Sequence, residues 1–129
     1  MKRRKTSPPP PLHELEAEVM EVVWAKELAT VREVLEALNE GPKQRAYTTV
    51  MTIMVRLDRK GLLRRERRGK SDVYSPTMAR AEYLDARASS EVAALLEQYG
   101  DIALGHFANQ MQTLDPERLE QLRSLTRRD

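Results

Sequence analysis

Apolar side chains recur at helical spacing through most of the chain. Leu15, Val19, Val22 and Val23 share one face of a helix predicted over residues 12–25, and Met20 and Trp24 widen the stripe. Glu14, Glu16, Glu18 and Glu21 are then expected on its outer surface. The next helix has its own start signal: Thr30 as a cap with Glu33 three residues on, the capping-box arrangement. Val31, Val34, Leu35 and Leu38 supply its buried side, and residues 39–42 end it. A third helix is predicted over residues 47–60, with Val50, Ile53, Met54 and Leu57 on the face that seats it against the first two. Gly61 stands where a left-handed residue would stop it.

The period then changes. Residues 62–68 and 73–75 flank a polar turn at 69–72 and end before Pro76, which reads as a β-hairpin. Three helices followed by a hairpin is the winged helix-turn-helix order, so the expected fold class is mainly α with a small β-hairpin wing. From residue 79 the helical pattern returns. Tyr83, Leu84, Val92, Leu95, Leu96 and Tyr99 mark one helix with Gly100 as its stop; Ile102, Leu104, Phe107 and Met111 mark a shorter one. Asp115-Pro116, a cap and a first-turn proline, open a last helix carrying Leu119, Leu122 and Leu125. These helices are apolar on one side and have no large domain to fold against, so a twofold mate is the economical cover. Tyr83, Leu84, Val92, Leu95, Leu96, Tyr99, Phe107, Leu119 and Leu122 are accordingly assigned to a dimer contact. The organisation expected is a disordered basic, Pro-rich arm over residues 1–11, a winged helix-turn-helix DNA-binding head over 12–78 and a helical dimerisation domain over 79–129.

Composition narrows the class. A hydrophobic share of 40% with 33% charged residues suits a soluble helical chain, and five glycines with one phenylalanine speak against a β-sandwich or barrel. The absence of cysteine excludes disulfides, thiol redox sensing and cysteine-based metal sites, and makes a reducing cytoplasm the expected location. No apolar run is long enough to cross a bilayer, and the basic start leads into prolines rather than a signal-peptide stretch, so no membrane insertion is expected. The net charge is only +2, but residues 41–78 hold ten basic against three acidic side chains. That local excess is the footprint of a polyanion site, or of a solvated basic face. Lys2, Arg3, Arg4 and Lys5 of the arm fit either phosphate contact or a solubilising tail.

The third helix carries a second stripe, opposite its apolar one. Thr48, Thr52, Arg56 and Arg59 are spaced by four, four and three residues, with Tyr47 and Thr49 beside them. Threonine offers a hydroxyl and a methyl for base edges; arginine bonds a guanine edge in bidentate fashion or clamps phosphate. Short side chains near the start of the helix allow close approach to a groove. Immediately after it, Arg65, Arg67, Arg68, Gly69 and Lys70 crowd the hairpin as candidate wing contacts to the backbone or minor groove. Alternation sends Arg65 and Arg67 to one face and Arg64, Glu66 and Arg68 to the other, and Asp72 is expected to face away from DNA. Catalysis finds no support: His13 and His106 are far apart and lack metal-motif partners, and there is no phosphate loop or nucleophile motif. No enzyme activity, metal or cofactor is expected.

These residues carry a family resemblance. Residues 15–24 (LEAEVMEVVW), 30–38 (TVREVLEAL) and above all 46–63 (AYTTVMTIMVRLDRKGLL) resemble the penicillinase-repressor (BlaI/MecI) family over residues 12–76, with the C-terminal third similar only as a helical pattern. The resemblance implies a homodimer that binds dyad-symmetric operators, often with TACA/TGTA-type half-sites, and represses transcription. It puts Thr48, Thr49, Thr52 and Arg56 at or near the operator in the major groove. It also implies a sensor or protease as the partner that triggers release. In the best-known branch cleavage falls at an Asn-Phe bond; here His106-Phe107 stands at that place, which speaks against that mode of induction. Copper sensing through C-terminal cysteines, found in another branch, is set aside because the chain has none. The alternative reading, from another class, is a winged-helix module that binds an acidic protein rather than a DNA sequence.

Overall fold

A computed structural model describes residues 7–126, with the elements α1 (Glu14–Lys26), α2 (Val31–Leu38), α3 (Tyr47–Arg59), β1 (Leu63–Arg68), β2 (Ser71–Pro76), α4 (Arg80–Tyr99), α5 (Asp101–Gln112) and α6 (Pro116–Thr126) in chain order. Residues 2–5 of the expected arm lie outside the described residues. The chain divides into two compact units, one ending at Ala88 and the other beginning at Ser89.

Local chemistry accounts for most boundaries of the first unit. Thr30 Oγ1 accepts the Glu33 N–H at 3.1 Å while Glu33 Oε1 accepts the Thr30 N–H at 2.9 Å, which completes the capping box of α2. At the end of α3, Gly61 adopts φ +83°, its N–H reaches the Asp58 carbonyl, and the Leu62 N–H reaches Leu57. This pair of bonds satisfies carbonyls that the helix leaves open, and the positive φ is why glycine stands there. α1 ends differently. Glu27 takes the left-handed conformation, φ +70°, without being a glycine.

The three helices bury Val19, Met20, Val23, Val34, Val50, Met54 and Leu57 almost completely, with Leu62, Leu63 and Tyr74 contributed by the hairpin. Burial of each large apolar side chain supplies about 1.5–3 kcal/mol, enough in sum to seat α3 firmly. The hairpin is tighter than expected. Its turn comprises only Gly69, at φ +60°, and Lys70, while Ser71 and Asp72 already belong to β2. The loop between α1 and α2 adds a third backbone partner: Ala29 and Tyr74 exchange hydrogen bonds of 3.0 and 2.8 Å. No sequence pattern announces that pairing, because a single bridge has no period.

The expected outer face of α1 needs correction. Glu16 is wholly buried, because α1 presents it to the end of α3 rather than to solvent. Tyr83 is likewise corrected. Assigned above to a dimer contact, it is 4% exposed within the first unit, its ring centroid 5.6 Å from that of Trp24. Its hydroxyl donates to the Pro10 carbonyl at 2.7 Å, and Arg87 Nη1 donates to the Pro9 carbonyl at 3.0 Å. The described part of the proline run is thus bonded to the start of α4. The Trp24 indole N–H donates to the Met78 carbonyl, and Arg80 pairs with Glu21, so α1 binds the residues entering α4 as well.

In the second unit, Gly100 at φ +59° separates α4 from α5, and the Asp115 carboxylate accepts the Arg118 N–H to open α6. Ala103 is its one buried apolar residue among those described. Val92, Leu95, Tyr99, Ile102, Leu104, Phe107, Met111 and Leu125 stay exposed, and Leu96, Leu119 and Leu122 are half-buried. An open apolar cavity of about 350 Å³ lies between Leu95, Tyr99, Ile102, Ala103, His106 and Phe107.

Candidate nucleic-acid interface

α3 lies with Val50, Ile53, Met54 and Leu57 turned inward, so the rest of its circumference is fixed by the 3.6-residue period. Tyr47, Thr48, Thr49, Thr52, Arg56 and Arg59 all fall on the exposed side. The hydroxyls of Thr48, Thr49 and Thr52 and the guanidinium of Arg59 bond to none of the described residues. These groups are therefore available to a ligand. The first turn of α3 has no acidic residue and no side-chain cap, which leaves its backbone N–H groups and positive dipole end open.

Tyr47 is held by a residue that the pattern of the sequence did not single out. Arg32, near the start of α2, places its guanidinium carbon 5.5 Å from the centre of the Tyr47 ring. Arg32 and Tyr47 line a groove of about 540 Å³ between the helices and the wing, together with Met51, Arg65, Arg67 and Lys70. Nothing local in the sequence signals this pairing, since Arg32 and Tyr47 sit on different helices.

The wing places its cations unequally. Strand register sets Arg67 opposite Asp72 and Arg65 opposite Tyr74. Asp72, expected to face away, instead lies on the Arg65–Arg67 face: its carboxylate is 3.4 Å from Arg67 Nη1 and 4.0 Å from Arg65 Nη1. The two-residue turn is the cause, because it moves Asp72 into the strand and the twofold alternation does the rest. Arg67 Nε also donates to the Gly69 carbonyl at 3.2 Å, closing the tip on itself. Arg68 pairs with Glu66 at 3.6 Å on the opposite face, so it does not join Arg65 and Arg67. Lys70 has no ion partner among the described residues.

Among the described residues Arg56 is the one member of the α3 stripe with an ion partner, Nη1 lying 3.9 Å from Glu16 Oε2. Glu16 in turn accepts from Lys60 Nζ at 2.8 and 3.1 Å and from the His13 N–H at 3.0 Å. Burial on its own would push this carboxyl up, but the His13 N–H and the Lys60 ammonium outweigh it and hold it below the usual carboxylate range. Neither its capping bond to His13 nor its partner 44 residues away, Lys60, was read from the sequence, which placed Glu16 on the outer surface of α1. Among the described residues no cluster of His, Cys, Asp or Glu could hold a metal ion, and no helix is long and apolar enough to cross a membrane.

Comparison with known proteins agrees with this geometry. The chain is 38% identical over 103 residues to the transcriptional regulator BlaI of Mycobacterium tuberculosis, covering 78% of this chain and 73% of that protein. It is 29% identical over 85 residues to the penicillinase repressor of Bacillus licheniformis, covering 63% and 62% respectively. Among solved structures it resembles the solution structure of the DNA-binding domain of the repressor BlaI, with a TM-score of 0.51, 28% identity, and coverage of 61% of this chain and 94% of that one. The family profile described as "Penicillinase repressor" matches residues 12–128, nearly the whole of both units. The chain belongs to the penicillinase repressor family.

Proposed function

We propose that this protein is a cytoplasmic, sequence-specific transcriptional repressor, not an enzyme, that binds dyad-symmetric operator DNA as a homodimer. The observation that carries the reading is the uncovered stripe Thr48–Thr52–Arg56–Arg59 on α3, in a chain that belongs to a family of repressors. α3 enters the major groove, where Tyr47, Thr48, Thr49 and Thr52 meet base edges or sugar and Arg56 and Arg59 meet bases or phosphate. Arg65, Arg67, Gly69 and Lys70 approach the backbone beside it, and Arg32 joins them through Tyr47. Arg68, paired away from that face, contributes less.

The dimer forms through the second unit. Val92, Leu95, Tyr99 and Phe107 are exposed and apolar, and Leu96, Leu119 and Leu122 are half-covered, a surface of the kind that monomers seldom leave to water. Leu84, exposed near the start of α4 and within the first unit, is assigned to the dimer contact separately. Two heads joined in this way match a two-half-site operator. Release by a sensor or protease partner is what the family resemblance implies; no group on the described surface supports it.

Fluorescence anisotropy with a duplex carrying a TACA/TGTA dyad, against a shuffled duplex across a salt series, tests the reading. A strong preference for the dyad with a steep salt slope supports it; equal binding to both overturns sequence recognition. Absence of binding at low salt favours the protein-interaction alternative.

A further inference from the structure

Carboxylates of α1 hold α3 at both ends. Glu18 takes the Arg45 guanidinium at 3.2 and 3.3 Å, just ahead of the first residue of α3. Glu16 takes Lys60 Nζ at 2.8 and 3.1 Å, just after the last. The two clamps differ in kind: the Glu18 side chain is 38% exposed and that of Glu16 not at all. Arg56, four residues before Lys60 and so on the same side of the helix, stands 3.9 Å from the Glu16 carboxylate with 48% of its side chain exposed.

A buried ion pair adds little stability over an apolar pair of the same size, because desolvation offsets the attraction. What it adds is direction. The remainder of the shared core, Val19, Val23, Val50, Met54 and Leu57 among it, is apolar, and apolar contact is non-directional. A fully buried carboxylate with three hydrogen bonds fixes one point on the rotation of α3 about its axis. Lys60 takes the short hydrogen bonds, which leaves Arg56 at ion-pair distance with its N–H donors unspent.

We propose that Glu16 is a positioning residue for DNA recognition: from inside the head it sets the rotation of the last turn of α3 and the direction in which Arg56 points. The proposal rests on the reading of α3 as the helix that contacts DNA. Glu16 itself touches no DNA. It acts through Arg56 and Lys60.

The test uses the full chain. Glu16→Gln keeps the shape of the side chain and an acceptor for the His13 N–H, and removes the charge. Glu16→Gln, Arg56→Gln and the double variant are compared with the wild type by anisotropy on the dyad and shuffled duplexes, at a temperature where circular dichroism shows native helix. The wild type prefers the dyad. Glu16→Gln loses on the order of tenfold of that preference, the size of one lost base contact. In the Arg56→Gln background the same change loses little more, because both act on one interaction. A preference retained in Glu16→Gln, or an equal loss in both backgrounds, overturns the proposal. A wild type without preference overturns the functional reading and the proposal with it. Should Glu16→Gln fail to fold, Lys60→Gln takes its place, with the same loss expected and an unchanged preference overturning the proposal.

Discussion

A carboxylate without exposed surface is costly to ionise, and Glu16 is charged only because the His13 N–H and the Lys60 ammonium meet it inside the head. Its pKa is lower in the folded than in the unfolded chain, so its contribution is present above the unfolded value and lost as pH falls through the folded one. Urea midpoints are expected to drop as pH is taken from about 6 to about 3, and Glu16→Gln to flatten that limb while lowering the midpoint near neutrality. A limb equally steep in the variant would assign the acid sensitivity to other groups. Asp72 poses the opposite problem. It lies between Arg65 and Arg67 on an exposed strand face and cancels part of their field. Asp72→Asn is expected to tighten binding to dyad and shuffled duplexes alike, by roughly fivefold at most, since exposed pairs are weak and phosphate attraction is blind to sequence. The sequence showed that Asp72 opposes phosphate binding, but its facing was misjudged because the turn is two residues shorter than its polar composition suggests.

At the scale of elements, helix ends make the sharpest predictions. Gly61 and Glu27 end α3 and α1 at positive φ, one with the residue suited to it and one without. Nothing lies within 4 Å of a Cβ built on Gly61, so Gly61→Ala meets no clash and should cost only the backbone term, about 1–2 kcal/mol by denaturant unfolding. Glu27→Gly should have the reverse sign and stabilise by up to about 1 kcal/mol, because glycine takes positive φ without strain. Thr30→Ala removes one half of a capping box and should cost about 1 kcal/mol. α2, α3, the hairpin and the three later helices were legible because period, cap and glycine agree along each segment. The Ala29–Tyr74 bridge was not, since the chain around Ala29 carries no strand pattern and pairs only because Tyr74 arrives beside it.

At the scale of the molecule, the two compact units divide the chemistry. The first bears the basic wing and the exposed α3 stripe, the second an apolar surface with little buried beneath it. Leu95→Ser with Phe107→Ser should give monomers by sedimentation and weaken dyad binding far more than shuffled-duplex binding, because half-sites are read cooperatively only when joined. A dimer that survives both changes would move the contact elsewhere. Arg67→Gln with Lys70→Gln should reduce the slope of log affinity against log salt by about one to two, with preference for the dyad largely kept. An unchanged slope would remove the wing from the interface.

The sequence by itself determined the order of helices and hairpin, the inward faces of α1, α2 and α3, and the stripe of threonines and arginines opposite the α3 core. Each of these depends on neighbours within a few residues, where period and capping act. Only the tertiary structure decided which groups meet: Glu16 with Lys60 and Arg56, Arg45 with Glu18, Arg32 with the Tyr47 ring, and Tyr83 with Trp24 and the Pro10 carbonyl. Those partners lie far apart along the chain, and an isolated ion-pair, hydrogen-bonded or ring contact between them leaves no periodic trace. Burial is set by what packs on a face. A glutamate on the polar side of α1 therefore reads as solvated until α3 closes over it.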